Sequence, residues 1–546
     1  MVLLLLSTIL LIPVLMGLGK ALENFSGILI KGISGKILSG IVGISLLWTI
    51  LAFFIPLNSY VEITTIILGF IYFFKGQLYR EFYHFSKKEY SLIFVISLIV
   101  LFCGSFYPYI LDHFGYYLPT IKWLTEFGVV KGISNLDLTL GQISLWHIFQ
   151  AGFSNFSDPF LRINSILLIV YTLYIIEKKS WIQLCFIPVL LLFSQSPSPD
   201  LPVIVFSLII LNEIVRENKH TSLLFAFSVF VFAIKPTMIW LPILSFFYSI
   251  LIIKSNLKNL IPGILIVLLF FIKNIYTFGY PIFPVSIGDF GVNWKPNPEV
   301  LQISSQFAIQ KTYDMQYSYG EIQKFSSLDY IKNWLFLNGI KSKINILFVV
   351  SLISFIIFSF IKKNRITSLI CISILIKSVI ILLFSAQYRF FLDVFFVIFF
   401  VMMINYFNKK RSITVFSVLS TAFIGILLLP NVLQIYLPSF RLGNFMGKFE
   451  IRQLYQPSTY HYNKFESYKV GNLRFNVSKK YPYSFDTQLP AISEDYLRDD
   501  AKAGIFPQMI DEKNIKKGFI WKKLDSKEKK EAENVINSIN NSYKQK

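Results

Sequence analysis

The stretch YILDHFGYYLPTIKWLTEFGVVKGISNLDLTLGQISLWH, residues 109–147, decides how the chain is read. An apolar segment ends just before it, near Tyr107, and the chain is greasy on either side. The stretch itself is polar, rich in glycine and too long for a simple turn between two membrane helices. An aspartate, Asp112, stands at its entrance. Function has to be argued from this loop and from whatever shares its side of the membrane.

The surroundings are strongly apolar. Of 546 residues, 54% are hydrophobic, 17% aromatic and only 15% charged, and mean hydropathy is +0.58. Soluble domains carry roughly 25% charged residues, so the composition predicts a polytopic membrane protein. The net charge of +21 does not argue for nucleic acid. The Lys and Arg residues sit in short clusters between apolar runs, where they act as topology signals. Cys103, Cys185 and Cys371 all lie in or beside apolar runs, with neither a disulfide framework nor a CxxC metal spacing. The first nineteen residues carry no charge before Lys20. They read as a first span with an outside N-terminus, rather than as a cleaved signal.

A helix needs roughly 20 apolar residues to cross a bilayer. The expected class is therefore all-α membrane, a bundle of about 12–14 transmembrane helices. Candidate spans are 1–19, 37–56, 61–75, 91–107, 163–176, 181–194, 201–214, 221–234, 238–253, 259–273, 344–360, 367–385, 389–406 and 413–437. Seven basic loops then fall on one side: Lys20/Lys31/Lys36, Lys75/Arg80/Lys87/Lys88, Lys178/Lys179, Arg216/Lys219, Lys254/Lys258, Lys362/Lys363/Arg365 and Lys409/Lys410/Arg411. That side is read as cytoplasmic. The opposite side holds two long loops, 107–162 and 274–343, and the shorter turns 194–200, 235–236 and 385–389. The chain thus divides into a transmembrane domain, 1–437, and an extracytoplasmic C-terminal domain or cap, 438–546, where composition turns polar. The end of that tail, KEKKEAENVINSINNSYKQK, reads as a solvated helix.

Within the first long loop, HFGYYLPTIKWLTEFG has apolar residues at helical spacing, with Pro119 near a helix start and Gly128 at a stop. TLGQISLWHIFQAGF reads as a second helix or a re-entrant segment. Aromatic amphipathic helices beside a span are expected in the interface plane.

Several charges stand out on the outer side: Asp112 with His113, Tyr116 and Tyr117 after it, Asp200 in SQSPSPD, Lys235 in AIKPTMIW, Asp289 in a Gly/Pro-rich loop, and Arg389 in AQYRFFLD. A charge at mid-membrane costs about 2.5–3.5 kcal/mol, less near an interface. Both signs on one side predict a polar cavity opening outward. Each residue also has a duller reading. Asp112 and Asp200 suit helix caps, Lys235 can snorkel to headgroups, Arg389 can pair with Asp393 four residues on, and Asp289 suits a turn. His147 and Trp146 suit an interface anchor. Lys377, deep in a span, requires a partner that the sequence does not name.

The segment LDHFGYYLPTIKWLTEFGVVKGISN, followed by SPSPDLP, KPT, NIYTFGYPIFP and QYRF, resembles the GT-C class of integral membrane glycosyltransferases, in layout across most of residues 90–400. The resemblance implies a polyprenyl-phosphate-linked sugar donor, a glycan, lipid or protein acceptor, and an active site on the outer face of the cytoplasmic membrane. It places Asp112 as general base of an inverting transfer, Lys235 and Arg389 at the donor phosphate, and His113, Tyr116, Tyr117, Asp200 and Asp289 around the substrate cavity. Tyr116, Tyr117 and Trp123 would stack on sugar or line the lipid groove. Many members have a second acid directly after the first Asp, where this chain has His113. A divalent metal therefore has no ligand motif here. A transporter or flippase of lipid-linked glycans, a glycan polymerase and a non-catalytic scaffold are the competing readings; the first of these predicts internal repeats, and none is visible.

Overall fold

The computed structural model describes residues 1–429 and 449–544. Each of the fourteen apolar stretches coincides with a helical segment over its described residues; residues 430–437 of the last stretch lie outside them. In chain order these are α1 (Val2–Ser26), α2 (Ile33–Leu51), α3 (Ser59–Lys75), α4 (Lys87–Gly104), α7 (Ile163–Lys178), the mixed segment Trp181–Phe193 containing α8 (Ile187–Leu190), α9 (Asp200–Val215), α10 (Thr221–Ile234), the segment Pro236–Ile252 containing α11 (Trp240–Phe247), α12 (Ile261–Phe278), α16 (Ile340–Lys362), α17 (Arg365–Phe384), α18 (Tyr388–Met403) and α19 (Lys409–Leu428). Among the described residues six helices are long and apolar enough to cross a membrane, or seven if α3 is joined to the 3-10 turn Leu78–His84, bent 62° from it. This architecture fits a multi-pass membrane protein. The domain boundary at 437/438 lies outside the described residues.

The shorter helices have a physical reason. Every residue from Ile163 to Ile176 in α7 and from Leu201 to Ile214 in α9 is buried. A helix that is apolar on all sides sits inside a bundle. The 16 residues of each span about 24 Å, wrapped by neighbours. The outer helices show the opposite pattern. Along α16, Leu347, Val350, Ile353 and Ile357 are exposed, as a lipid-facing flank requires. Small residues let α1, α2 and α3 approach closely: Gly17 lies against the Gly69 backbone and Gly19 against Lys36.

Contacts gather the basic loops at one end. Lys36 pairs with Glu81 at 3.0 Å. Glu177 accepts the Ile33 and Ser34 amides, and Arg216 donates to the Lys178 carbonyl. Asn218 donates to Leu29 O at 3.1 Å, Thr221 bonds Ser255 at 2.8 Å, and Lys409 lies over the Trp181 ring. Six of the seven loops are tied together this way.

The two long loops and the tail meet at the other end. The first loop folds as a single π turn, His113–Tyr117, running into α5 (Leu118–Glu126), which stops before Gly128 at φ 76. α6 (Leu145–Gly152) follows. All eight residues of α6 are buried, so it is a core helix rather than one lying in the interface plane. Trp146 donates to Asn164 Oδ1 at 2.8 Å; its indole fixes packing and anchors nothing at a surface. The second loop holds α13 (Pro298–Thr312), α14 (Tyr319–Ile322) and α15 (Ser327–Leu335).

The tail is not helical throughout. Two antiparallel pairs, β1 (Phe465–Val470) with β2 (Leu473–Ser478) and β3 (Ile505–Met509) with β4 (Phe519–Lys523), accompany α20 (Glu494–Lys502) and α21 (Ser526–Lys544). The last helix is not solvated all round, because Ala532, Val535 and Ile539 are buried at helical spacing. The tail caps the long loops. Phe519 N donates to Lys131 O at 3.0 Å, Lys122 donates to the Asp486 and Thr487 carbonyls, and Trp521 donates to Lys295 O.

Candidate functional site

Asp112 opens the π turn but caps nothing with its side chain. Its carboxylate instead accepts from Arg389 Nη1 at 3.1 Å. Arg389 lies in the first turn of α18, 277 positions along the chain. Both side chains are partly open, 36% exposed for Asp112 and 42% for Arg389. An ion pair this exposed is worth about 0–1 kcal/mol, so a ligand can part it cheaply.

Asp200 also departs from the capping role. It pairs with Lys235, and its other oxygen meets Ser198 Oγ at 3.3 Å. Ser198 Oγ accepts the Asp200 amide, also at 3.3 Å. Lys235 follows the end of α10 in extended conformation, which Pro236 imposes on the residue before it. Its ammonium therefore leaves the helix axis. It lies 3.4 Å from the Arg389 carbonyl and 5.4 Å from the Phe390 ring. Two acids and two cations from four segments thus converge: Asp112, Asp200, Lys235 and Arg389.

The turn before Asp200 is locked from beneath. Asn164 donates to the Phe193, Ser196 and Ser198 carbonyls at 2.7–3.0 Å. Ser165 Oγ reaches Ser194 O at 3.0 Å, and Gln195 bonds the Cys103 carbonyl at 2.9 Å. Asn164 was not legible as a site residue; its signal is an amide at the start of an otherwise apolar helix.

His113 is buried, with Nδ1 3.0 Å from Ser196 Oγ. Burial first, then Arg162 and His147, pushes its imidazole down to about 3, which keeps it neutral. Tyr117 is buried too, its hydroxyl 3.5 Å from Ser198 Oγ, and burial raises its phenol well above the usual range. Tyr116 packs on Tyr117, ring centroids 4.5 Å apart, and is half-buried. Trp123 is turned inward against Phe127 and Phe519; it lines no groove. Of the three aromatics expected to face a sugar, only Tyr116 retains open surface.

Asp289 does not join the cluster. It pairs with Lys295 and accepts the Gly291 amide at 2.8 Å in an exposed turn, the duller of its two readings. Asp393 is not the partner of Arg389 either. It pairs with Lys377 in the helical core and accepts Trp240 Nε1 at 3.1 Å, which answers what holds Lys377. Among the described residues no group of three or more His, Cys, Asp or Glu side chains stands together to hold a metal ion, and the two acids of the cluster pair with cations while His113 bonds a serine.

Beside Arg389 opens a cavity of about 240 Å³, lined by Lys311, Asp314, Lys341, Gln387 and Tyr388 among others. Lys311 comes from α13 in the second long loop. Partial desolvation, then Arg389, lowers its ammonium pKa, while Asp112 and Asp495 act against that. The tail touches the same place: Phe485 N donates to Phe114 O at 3.1 Å, one turn from Asp112, and Tyr483 faces Gly115.

No curated protein and no solved structure matches this chain. One family model does, across residues 1–396, and that range contains Asp112, Asp200, Lys235, Lys311 and Arg389 but not the tail. The chain therefore belongs to that family, described as a domain of unknown function, DUF8201.

Proposed function

We propose that the protein is a membrane glycosyltransferase. It moves a sugar from a polyprenyl-phosphate-linked donor to a cell-envelope acceptor on the outer face of the cytoplasmic membrane, with inversion. In this reading all fourteen apolar segments cross or traverse the bundle, and the tied basic loops face the cytoplasm. The observation that carries the proposal is the convergence of Asp112, Arg389, Asp200 and Lys235 at the opposite end.

The chemistry follows from the two pairs. A donor phosphate draws Arg389 away from Asp112, because a guanidinium fork suits phosphate oxygens. That exchange frees the Asp112 carboxylate. The acceptor hydroxyl gives its proton to Asp112 as its oxygen attacks the anomeric carbon from the face opposite the phosphate. The bond from that carbon to the phosphate oxygen breaks, and the electron pair leaves with the phosphate, beside Lys235 and Arg389. The pairing in the unliganded protein is thus a placeholder for donor and acceptor.

Asp112→Asn tests this directly. Membranes carrying the variant, supplied with a panel of prenyl-phosphate sugars, should lose transfer by about 10²–10⁴-fold, the usual contribution of a general base. Stability should stay within about 1 kcal/mol of the parent, since the pair is exposed. Undiminished transfer by Asp112→Asn removes the residue as base and the mechanism with it.

A further inference from the structure

The cavity beside Arg389 has more positive charge than a single phosphate needs. Three cations line it, Lys311, Lys341 and Arg389, against one carboxylate, Asp314. Lys341 is neutralised by Asp314 and Arg389 by Asp112. Lys311 forms no ion pair among the described residues. Lys311 lines an open space of about 240 Å³, where a single water needs only about 10–15 Å³.

The backbone adds to this field. α18 begins at Tyr388, and Gln387 before it provides no side-chain cap. Its amide is used instead on Ser385 Oγ, at 2.7 Å. The Phe390 amide bonds the Gln387 carbonyl at 2.9 Å, which leaves the Tyr388 and Arg389 N–H groups at the helix start, where the helix dipole is positive. Gln387, Tyr388 and Arg389 all line the space.

The walls are built, not loose. Ser385 Oγ bonds Ala308 O at 3.2 Å and Thr312 Oγ1 at 3.4 Å, which ties α13 to the turn before α18. Trp334 Nε1 donates to Ala386 O at 2.9 Å, and Asn345 holds the Trp334 carbonyl at 2.8 Å. Arg389 joins the two places: it lines this cavity, its guanidinium reaches Asp112 and its backbone carbonyl lies 3.4 Å from Lys235 Nζ, so the cavity and the Lys235 pair are neighbours.

We propose that the Lys311 cavity receives the second phosphate of a diphosphate, so that the lipid carrier is a prenyl diphosphate rather than a prenyl monophosphate. This rests on the lipid-linked donor reading above. A monophosphate diester carries one negative charge and a diphosphate diester two. The phosphate next to the anomeric carbon sits at Lys235 and Arg389, and the one next to the prenyl chain at Arg389 and Lys311. Transfer then releases prenyl diphosphate: the bond from anomeric carbon to the proximal phosphate oxygen breaks, and the leaving group keeps the electron pair.

The test is binding by the full-length protein in detergent. Farnesyl diphosphate, farnesyl monophosphate and inorganic diphosphate are titrated against the parent, Lys311→Gln and Lys311→Arg. The diphosphate lipid is expected to bind at least tenfold tighter than the monophosphate. Lys311→Gln should erase that preference while leaving monophosphate binding within twofold, and Lys311→Arg should restore it. Equal binding of the two lipids, or a preference untouched by Lys311→Gln, overturns this inference and leaves the lipid-donor reading standing. Inorganic diphosphate binding as tightly as the farnesyl ester overturns the carrier assignment, since the prenyl chain then contributes nothing. Saturable binding of none of the three overturns the donor reading itself, and this inference falls with it.

Discussion

Lys377→Met should be among the most damaging single substitutions in the helical body. The Lys377 side chain is wholly buried, and Asp393 opposite it is 6% exposed. Once the lysine is gone, the Asp393 carboxylate keeps a neutral partner, the Trp240 indole at 3.1 Å. Removing one member of a buried ion pair costs about 3–5 kcal/mol, because the remaining charge is stranded in a low dielectric. Replacing the whole pair by apolar groups of similar volume is often neutral or better. Lys377→Met/Asp393→Leu should therefore lose only what the orphaned Trp240 N–H costs, about 1–3 kcal/mol. The double variant is expected to be the more stable of the two. Unfolding in mixed detergent, followed by tryptophan fluorescence, measures all three proteins on one scale. A single variant within about 1 kcal/mol of the parent, or a double variant worse than the single, refutes the burial argument.

Other expectations follow from neighbouring features. Burial pushes the Asp137 carboxyl, at the junction of the first loop and the tail, up to about 6, against the hydrogen bonds it accepts from Thr139 and Ser493. The folded state then holds a proton that the unfolded chain releases near pH 3.9, so this contribution is present below that value and is lost as pH rises through about 6. It amounts to about 3 kcal/mol. Amide protection in the tail, taken relative to the intrinsic rise of exchange with pH, should fall between pH 4 and 7 in the parent and stay constant in Asp137→Asn, and constant protection in the parent counts against it. Gly19→Ala should cost about 1–3 kcal/mol, since its new Cβ overlaps the Lys36 carbonyl oxygen, a backbone atom that yields only if two helices part. A melting temperature equal to the parent's would show that they part freely. Glu62→Ala should strip the acceptor from the Asn155, Phe156 and Ser157 amides, which reach it at 2.6–3.0 Å. At about 1.5–3 kcal/mol for each hydrogen bond to a charged group, those three amides should lose most of their exchange protection, and retained protection would mean another acceptor takes over.

Much of the site was legible because cost made it visible. Asp112, Asp200, Lys235 and Arg389 each stand at the edge of an apolar run, where a charge is expensive without a purpose. All four meet. Lys311 and Lys341 were not legible, since in a polar loop or at a helix start a lysine is ordinary. Asp289 and Lys311 show the same limit: loop charges carry no local signal, and the Asp289 carboxylate turns to Lys295. α6 shows a different gap. Its aromatics suit an interface helix and a core helix equally, and only the neighbours packed on all sides make it the second.

Which stretches form apolar helices, six of them among the described residues long enough to cross a membrane, was determined by the sequence alone, because transfer free energy is summed over consecutive side chains and needs no knowledge of neighbours. The fourteen helical segments follow from that sum. Which charges meet was decided only by the tertiary structure. The i,i+4 pattern offers Asp393 to Arg389, yet rotation of α18 turns Asp393 inward to Lys377 and Arg389 outward to Asp112. A helix carries its side chains around a full circle, and the choice of face is made by packing against helices hundreds of residues away.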